Sequence, residues 1–321
     1  PILAFILLAV AVAPILFPGL PARMLAFSAL YPFIGVWLMW GGSIWTHIVV
    51  IAGFAIGYGV FRAVDARLGS LAAIILSVLA AILWWLFLTG TVSSAIQSVI
   101  PLGLEPVVSR KFGGFMLSIS IGVTGIVCSF PIGIVLALGR RSDLFIVKTL
   151  CVGFIEFIRG VPLITLLIVA STLLNIFLPP GTDFDIILRV MIMVTMFASA
   201  YMAEVIRGGL AALPKGQYEA ADALGLDYWK AQRLIIMPQA LKISIPGIVS
   251  TFIGLFKDTT LVSIISLLDP LGFSNAIRAN AEWNGILWEL YAFIAAMFWI
   301  FCFSMSRYSM YLERKLQTGH R

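Results

Sequence analysis

Long, nearly uninterrupted apolar stretches dominate this chain, and short polar segments separate them. A helix needs about 20 apolar residues to cross a bilayer. The stretches that meet or approach this length are Ile2–Pro18, Met24–Trp40, Trp45–Phe61, Leu71–Leu88, Gly113–Leu138, Leu144–Leu178, Ile186–Ile206, Ile243–Leu268 and Gly285–Arg307. The pattern therefore predicts an all-α polytopic membrane protein with about nine crossings.

Three segments interrupt this pattern. Leu144–Leu178 contains Gly160 and Pro162, which predict either one broken helix or two packed pieces. Thr91–Lys111 is mixed and less apolar, as expected of an amphipathic segment on the membrane surface. Asp269–Asn284 is polar and predicts a connection between two spans.

The longest polar run, Lys215–Pro246, predicts a helical hairpin. Pro214 suits a helix start, where its missing N–H would have no partner in any case. Gly225 suits a left-handed turn that ends this first helix. Asp227 suits the cap of a second helix that starts at Tyr228. A hairpin with small residues and few charges is suited to docking against another protein at the membrane face.

Composition supports a membrane protein and gives no sign of catalysis. Hydrophobic residues make up 61% of the chain, charged residues 11%, and the mean hydropathy is +1.06, which excludes a soluble globular domain. The three cysteines lie in apolar runs without metal-ligand spacing, and the two histidines are far apart. No GxxxxGK[ST] sequence occurs, so the chain carries no P-loop. We predict no catalytic residue and no metal ligand. Because the chain begins inside an apolar run, we expect it to be part of a longer protein and not to start with a signal peptide.

The lysines and arginines divide unevenly between the two sides of the predicted spans. One side carries Arg23, Arg62, Arg67, Arg140, Arg141, Lys148, Arg207, Lys215, Lys230, Arg233, Lys242, Arg307, Arg314, Lys315 and Arg321. The other side carries Arg110, Lys111, Arg189 and Arg278, and Arg159 and Lys257 are assigned to the membrane. The side rich in positive charge faces the cytoplasm in membrane proteins. The hairpin and the C-terminus are therefore predicted to be cytoplasmic.

The hairpin also carries a family resemblance. Its sequence Glu219-Ala220-Ala221, followed by Gly225 and by Ile235-Ile236-Met237-Pro238, resembles the EAA motif of permease subunits in ATP-binding-cassette importers. Met237 stands where that motif has leucine. In that family the loop docks into a groove of the ATPase subunit. The resemblance therefore implies that ATPase coupling rests on Glu219, Ala220, Ala221, Gly225 and Pro238.

Further motifs in the second part of the chain look like the polar amino-acid class of these permeases. They are Arg140-Arg141-Ser142, Phe157-Ile158-Arg159-Gly160-Val161-Pro162-Leu163, Ala200-Tyr201-Met202-Ala203-Glu204 through Arg207-Gly208-Gly209, and Lys257-Asp258-Thr259-Thr260-Leu261. The ending, from Glu313 to His320, narrows the resemblance to the general L-amino-acid type of importer, which carries glutamate, glutamine, aspartate or asparagine. The resemblance covers about Gly113–Arg321.

The resemblance implies a fold and a division of the chain. Residues 113–312 would form a type I importer permease core of about five helices, with the coupling loop at 214–242. Residues 1–112 would form about four accessory membrane helices and a periplasmic-side amphipathic segment, and residues 313–321 a basic cytoplasmic tail. The protein would be a multi-pass protein of the bacterial inner membrane.

The resemblance also implies partners and a mechanism. These are a second permease subunit, two ATPase subunits that bind ATP and Mg, a periplasmic amino-acid-binding protein and the surrounding lipid, with no nucleic acid. Closure of the ATPase pair would act through the hairpin and rock the helices from inward- to outward-facing. The chain itself would perform no chemistry and need no cofactor.

Ionisable residues within predicted spans suggest where an amino acid would pass. Glu156 and Arg159, like Glu204 and Arg207, are three residues apart, so each couple shares a helix face and can form an ion pair. Such pairs most often brace a helix bundle or a subunit interface. The alternative is that some of them meet the ammonium and carboxylate of an amino acid. The candidates for the substrate path are Glu204, Ser199, Tyr201, Lys257, Asp258, Thr259, Glu156 and Arg159.

Two other function classes are less consistent with the sequence. An ion-coupled secondary amino-acid transporter would be expected to show broken helices in both halves of an internal repeat, and the sequence shows one break, near Gly160–Pro162. An intramembrane enzyme would need a nucleophile with a base or a metal site, and neither pattern is present. The amino acid carried, and the subunit that holds it, stay open from the sequence.

Overall fold

The structure is a computed structural model that describes residues 6–7, 10, 13–14, 21, 23–177, 185–283 and 285–317. The chain forms two compact units, residues 1–108 and 109–321. Within the described residues, six helices are long and apolar enough to cross a membrane, and one further helix pair is bent by 99° at a short break. The predicted all-α membrane fold is confirmed. The first predicted span, Ile2–Pro18, lies mostly outside the described residues.

From residue 23 onward, the first unit contains four helices and one short strand pair. The helices are α1 (Met24–Trp40), α2 (Ile44–Leu68), α3 (Ser70–Leu83) and α4 (Thr89–Val99). The strands β1 (Gly42–Ser43) and β2 (Gly103–Leu104) pair antiparallel. A π-helical turn, Trp84–Leu88, joins α3 to α4, so Ala72–Val99 is one continuous candidate span.

This continuous helix corrects two predicted boundaries. The span predicted to end at Leu88 continues to Val99, and the first part of Thr91–Lys111 belongs to it. The helix tolerates these polar residues because serine hydroxyls donate to main-chain carbonyls three residues earlier, as Ser93 and Ser98 do. Trp84 and Trp85 do not end the helix: their indole N–H groups donate to main-chain carbonyls of α2, at 2.8 and 3.0 Å.

The second unit contains the remaining helices. They are α5 (Phe115–Arg140), α6 (Phe145–Gly160), α7 (Leu163–Phe177), α8 (Ile186–Ala212), α9 (Lys215–Ala223), α10 (Tyr228–Ala231), α11 (Met237–Asp258), α12 (Pro270–Arg278) and α13 (Leu287–Gln317). A π-helical turn, Gln232–Ile236, joins α10 to α11, and 3₁₀ turns follow at Thr259–Ile265 and Ala281–Trp283. If the bent pair α6–α7 counts as one span, five candidate spans lie among the described residues of this unit.

Helix α8 lies in the middle of this unit and is buried at intervals from Ile187 to Leu210. Its C-terminal half forms a core with residues of α5, α6 and α11, including Ala137, Ile155 and Ala240. The interruption predicted at Gly160–Pro162 is confirmed as the bend between α6 and α7.

The segments that flank α11 differ from the predictions. The second helix of the hairpin continues directly into the next span. Tyr228–Ile265 is one helical run, whereas the predicted span begins at Ile243. The predicted connection Asp269–Asn284 contains helix α12. Asp269, which is fully buried, caps this helix by accepting from the main-chain N–H groups of Leu271 and Gly272.

Candidate functional site

The hairpin has the predicted helix–glycine–helix geometry. Helix α9 ends before Gly225, whose φ is +68°, a value that glycine adopts without strain. Asp227 then caps α10 by accepting from the main-chain N–H of Lys230 at 2.9 Å, and its carboxylate pairs with the Lys230 ammonium at 3.1 Å. The pKa of Asp227 is lowered mainly by the hydrogen bond from the main-chain N–H of Lys230, because this bond stabilises the charged carboxylate.

The proposed coupling residues lie on two faces of the hairpin. Ala221 is buried, whereas Glu219, Ala220, Gly225 and Pro238 are exposed. Large apolar side chains are exposed beside them, namely Leu224, Tyr228, Trp229 and Leu234. A mixed surface with large exposed aromatic and aliphatic groups is typical of a protein-binding site.

Two polar contacts anchor the hairpin to the rest of the second unit. The Arg141 guanidinium donates to the Tyr218 hydroxyl at 3.0 Å and lies 5.6 Å from the centroid of its ring. The Gln239 amide of α11 donates to the Gln217 amide oxygen of α9 at 2.9 Å. The end of α5 and the start of α11 are thus linked to the hairpin by side chains.

A cluster of five charges lies near the hairpin, and Glu204 is at its centre. The Glu204 carboxylate accepts from Arg140 at 2.7 Å and from Arg207 at 3.0 Å, and Arg159 lies 3.7 Å from it. Arg140 also donates to Glu156 at 2.8 Å. The Glu204 side chain is only 16% exposed to water. The charge of its carboxylate is therefore balanced mainly by these three guanidinium groups.

The cluster confirms one predicted pair and corrects another. Glu204 and Arg207 pair as the spacing indicated. Among the described residues, Glu156 pairs with Arg140 and Arg159 with Glu204, so the Glu156–Arg159 pair predicted from spacing is wrong. Because Arg140 ends α5, the cluster lies at that end of α5, next to the bend between α6 and α7.

The polar candidates near this cluster have local partners. The Ser199 hydroxyl is fully buried and donates to the Thr195 carbonyl of its own helix at 2.6 Å. Tyr201 is 37% exposed, packs on Phe197 with ring centroids 4.8 Å apart, and has the Arg159 guanidinium 5.5 Å from its ring centroid. Tyr201 and Arg159 thus form a partly exposed cation–π contact, whereas the Ser199 hydroxyl is occupied.

Lys257, Asp258 and Thr259 form a separate group. They lie at the end of α11, where the helix changes to a 3₁₀ turn at Thr259 within the candidate span Tyr228–Ile265. Thr259 is fully buried and donates to the Phe256 carbonyl. Lys257 is exposed, and no carboxylate lies within 4.0 Å of it in the part of the chain that the structure describes. It lines a cleft of about 380 Å³ with Thr260, Ala295, Phe298, Trp299 and Cys302.

This cleft lies deep in the apolar part of α13. Between Glu289 and Arg307 this helix has 17 residues without charge, and Phe298 is the central one. Lys257 therefore presents a cation at mid-span depth, where contact with lipid tails is costly. Such a side chain needs an anionic partner or water.

The structure does not bring the two groups of candidates together. Ser244 of α11 donates to the Val205 carbonyl, which places Glu204 level with Ser244. Lys257 lies 13 residues further along the same helix, or about 20 Å at 1.5 Å per residue. One small amino acid cannot bridge that distance.

The sequence did not predict the contact of Arg140 with Glu204, nor the residues of α13 that line the cleft beside Lys257. Arg140 was counted as a cytoplasmic charge, and its contact with Glu204 joins residues 64 apart, for which no local spacing signal exists. Phe298, Trp299 and Cys302 come from a helix that is distant in sequence from Lys257. Within the described residues, no cluster of His, Cys, Asp or Glu side chains could hold a metal ion.

Comparisons with known proteins agree on one family. The family described as "Binding-protein-dependent transport system inner membrane component" matches residues 129–318. The chain is 62% identical over 312 residues to the glutamate/glutamine/aspartate/asparagine transport system permease protein BztC of Rhodobacter capsulatus, covering 97% of this chain and 72% of that protein. It is 51% identical to the inner membrane amino-acid ABC transporter permease protein YhdY of Escherichia coli, covering 74% of this chain and 62% of that protein.

A solved structure shares the fold of about two thirds of the chain. A crystal structure of an amino acid ABC transporter with histidines superposes with a TM-score of 0.56 at 28% identity. The match covers 63% of this chain and 92% of that one.

Proposed function

The chain belongs to the family of binding-protein-dependent transport system inner membrane components and is a permease subunit of an ATP-binding-cassette importer, and from this premise we propose that it carries acidic amino acids and their amides. The 62% identity to a glutamate/glutamine/aspartate/asparagine permease supports this cargo. The chain spans 72% and 62% of the lengths of the two relatives named above.

The observation that carries the coupling role is the geometry of the hairpin. Its EAA-type sequence forms two helices around Gly225, and Glu219 and Ala220 face outward. The adjoining exposed side chains, Leu224 and Trp229, provide apolar contact area for an ATPase subunit. The working complex would contain a second permease subunit, two ATPase subunits that bind ATP and Mg, and a periplasmic binding protein.

The orientation is also part of the proposal. The multi-pass chain would lie in the bacterial inner membrane with the hairpin and C-terminus in the cytoplasm, where ATP is available. The excess of Lys and Arg on that side supports this orientation.

For the substrate path we favour the cleft lined by Lys257, with Asp258 as the next residue along the chain, over the cluster around Glu204. A zwitterion in a low-dielectric cavity needs a cation for its carboxylate and an acceptor for its ammonium. Lys257 is exposed and has no paired carboxylate in the described part of the chain, whereas the Glu204 carboxylate already contacts three guanidinium groups. Glu156, Arg159, Ser199 and Tyr201 would then line the path closer to the hairpin, and Thr259 would support the cleft from its buried position.

The test uses the complete importer purified and reconstituted into liposomes. ATP-driven uptake of glutamate, aspartate, glutamine and asparagine is measured with a protonophore present, so that uptake coupled to a proton gradient is lost. Lys257→Gln and Asp258→Asn are expected to abolish uptake or change the preference among these amino acids while the subunit stoichiometry stays normal. Glu289→Gln, which removes an exposed charge at the start of α13, is the matched control. Wild-type uptake that needs the ion gradient and not ATP would reject the proposed function.

A further inference from the structure

We propose that the consecutive residues Arg140 and Arg141 form a mechanical link that couples the hairpin to the bent helix pair α6–α7. The two side chains share one short stretch of backbone but contact different parts of the second unit. Arg141 contacts the hairpin, and Arg140 contacts the charge cluster on α6 and α8. This inference rests on the proposed function, because it assigns a role in transmitting movement of the hairpin.

The hairpin arm of the link is the contact between Arg141 and Tyr218. The guanidinium donates to the hydroxyl at 3.0 Å and lies over the ring. Tyr218 is half-buried, packs against the core shared by α5, α6, α8 and α11, and lies one residue before Glu219. Any displacement of α9 by a docked ATPase subunit therefore acts on Arg141.

The bundle arm of the link is the contact of Arg140 with two carboxylates. One nitrogen of its guanidinium donates to Glu156 on α6 and to Glu204 on α8. Arg140 and Glu156 are only 16 residues apart and lie on consecutive helices, so α6 crosses the end of α5 instead of running back along it. Arg159, one residue before the end of α6, contacts the same Glu204 carboxylate.

The backbone between the two arms is held in a closed turn. The main-chain N–H of Arg141 donates to the Leu138 carbonyl at 3.0 Å, and that of Ser142 donates to the Gly139 carbonyl at 3.1 Å. The two guanidinium groups therefore project from one rigid base at the end of α5. A shift of Tyr218 would move this base and change the contacts that hold α6 near its 99° bend.

The exposure of these groups argues against a purely structural role. The Glu156 side chain is 54% exposed, so its pair with Arg140 contributes little to folding stability, whereas the pair of Arg140 with Glu204 is more buried, with the two side chains 25% and 16% exposed. Their contacts instead fix the relative position of three helix ends. Substitution is expected to leave the assembled complex intact and to weaken the coupling between ATP hydrolysis and uptake.

The experiment measures amino-acid uptake per ATP hydrolysed, and ATPase stimulation by the loaded binding protein, in liposomes containing the complete importer. Arg141→Gln and Arg140→Gln are each expected to lower uptake per ATP roughly fivefold or more, the lower range of allosteric coupling. The double variant should be no worse than either single variant, because the two residues act in series. Arg140→Lys should restore most of the coupling, since an ammonium can still contact both carboxylates. Lys148→Gln, which removes an exposed cation of α6, is the control.

A second, milder variant keeps the test valid if an arginine variant does not assemble. Tyr218→Phe removes the hydroxyl that accepts from Arg141 and keeps the ring, so it should lower uptake per ATP without changing assembly. Two results would overturn the link and leave the proposed function standing. One is normal uptake per ATP in assembled Arg141→Gln and Tyr218→Phe complexes. The other is a loss in the double variant that equals the product of the two single losses. Absence of ATP-driven uptake in the wild-type complex would overturn the proposed function as well.

Discussion

Gly209 of α8 lies so close to the main-chain carbonyl of Ala240 on α11 that no side chain fits between the two helices. A Cβ at Gly209 would also overlap the hydroxyl of Ser244, which donates to the Val205 carbonyl at 3.2 Å. This close packing joins the span that leads into the hairpin to the span that leads out of it. Small residues permit such close approach between membrane helices.

Gly209→Ala should therefore separate α8 from α11 and destabilise the protein by about 1–3 kcal/mol, the usual cost of overpacking. The adjacent Gly208 has open space around its Cα, so Gly208→Ala should leave stability nearly unchanged. Thermal unfolding in detergent, followed by tryptophan fluorescence, compares the two variants with the wild type. Equal melting temperatures for both variants would show that this contact is not tight.

Local features made the spans and the hairpin predictable from the sequence. A long apolar run is itself the property that makes a segment cross the membrane. The hairpin depends on Gly225 and Asp227, which act on their nearest neighbours. These features need no knowledge of what packs against them.

The features that sequence reasoning missed depend on distant residues. Arg140 contacts Glu204 across 64 residues, and this contact competes successfully with the local Glu156–Arg159 spacing. Helix α12 looked like a polar connection because its start depends on the burial of Asp269, which other parts of the fold provide. Such pairings follow from tertiary packing and have no signal within a short window of sequence.

Asp269 makes stability depend on pH in a defined direction. Burial raises the pKa of this carboxyl, and the N–H groups of Gly272 and Leu271 offset part of that rise. The pKa in the folded state is therefore above the ordinary value of 3.8, so the neutral form is favoured by folding. The stability from this group is present below that ordinary pKa and is lost as pH rises through the raised pKa.

Asp269→Asn should remove this pH dependence, because the amide stays neutral while its oxygen can still cap α12. Its melting temperature relative to the wild type should rise between pH 4 and pH 7. Asp269→Ala removes the cap and should be about 0.5–2 kcal/mol less stable than Asp269→Asn at every pH. Melting curves in detergent at several pH values test this, and a parallel pH dependence of wild type and Asp269→Asn would contradict it.

Labelling of single cysteines with a membrane-impermeant maleimide tests the orientation. The native Cys128, Cys151 and Cys302 are first replaced by serine or alanine. Cysteines at Ser142 and Gln317 should react only when the cytoplasmic side is open, whereas cysteines at Asn280 and at Thr182, which lies outside the described residues, should react in intact cells. Reaction at Gln317 from outside would reverse the proposed orientation and move the hairpin away from ATP.

The turn at Gly225 offers the sharpest test of coupling through the hairpin. Its φ of +68° disfavours residues with a Cβ, most strongly β-branched ones, while the space around its Cα is open. Gly225→Val should therefore change the backbone of the turn without any steric clash elsewhere. The left-handed conformation costs an ordinary residue about 1–2 kcal/mol, enough to shift the turn to another shape.

We expect Gly225→Val to assemble normally and to lose most ATP-driven uptake, because the altered turn no longer presents Glu219 and Ala220 in register with the ATPase. Gly225→Asn is the matched control, since asparagine tolerates this φ better than other residues. Gly216→Val is a second control, because that glycine lies within α9, also has open space around it and does not have a positive φ. Uptake and stimulated ATPase activity are measured on complexes of confirmed stoichiometry. Wild-type uptake by the Gly225→Val complex would show that the shape of this turn does not transmit the movement, and Ala220→Asp would then test whether the exposed face of α9 contacts the ATPase at all.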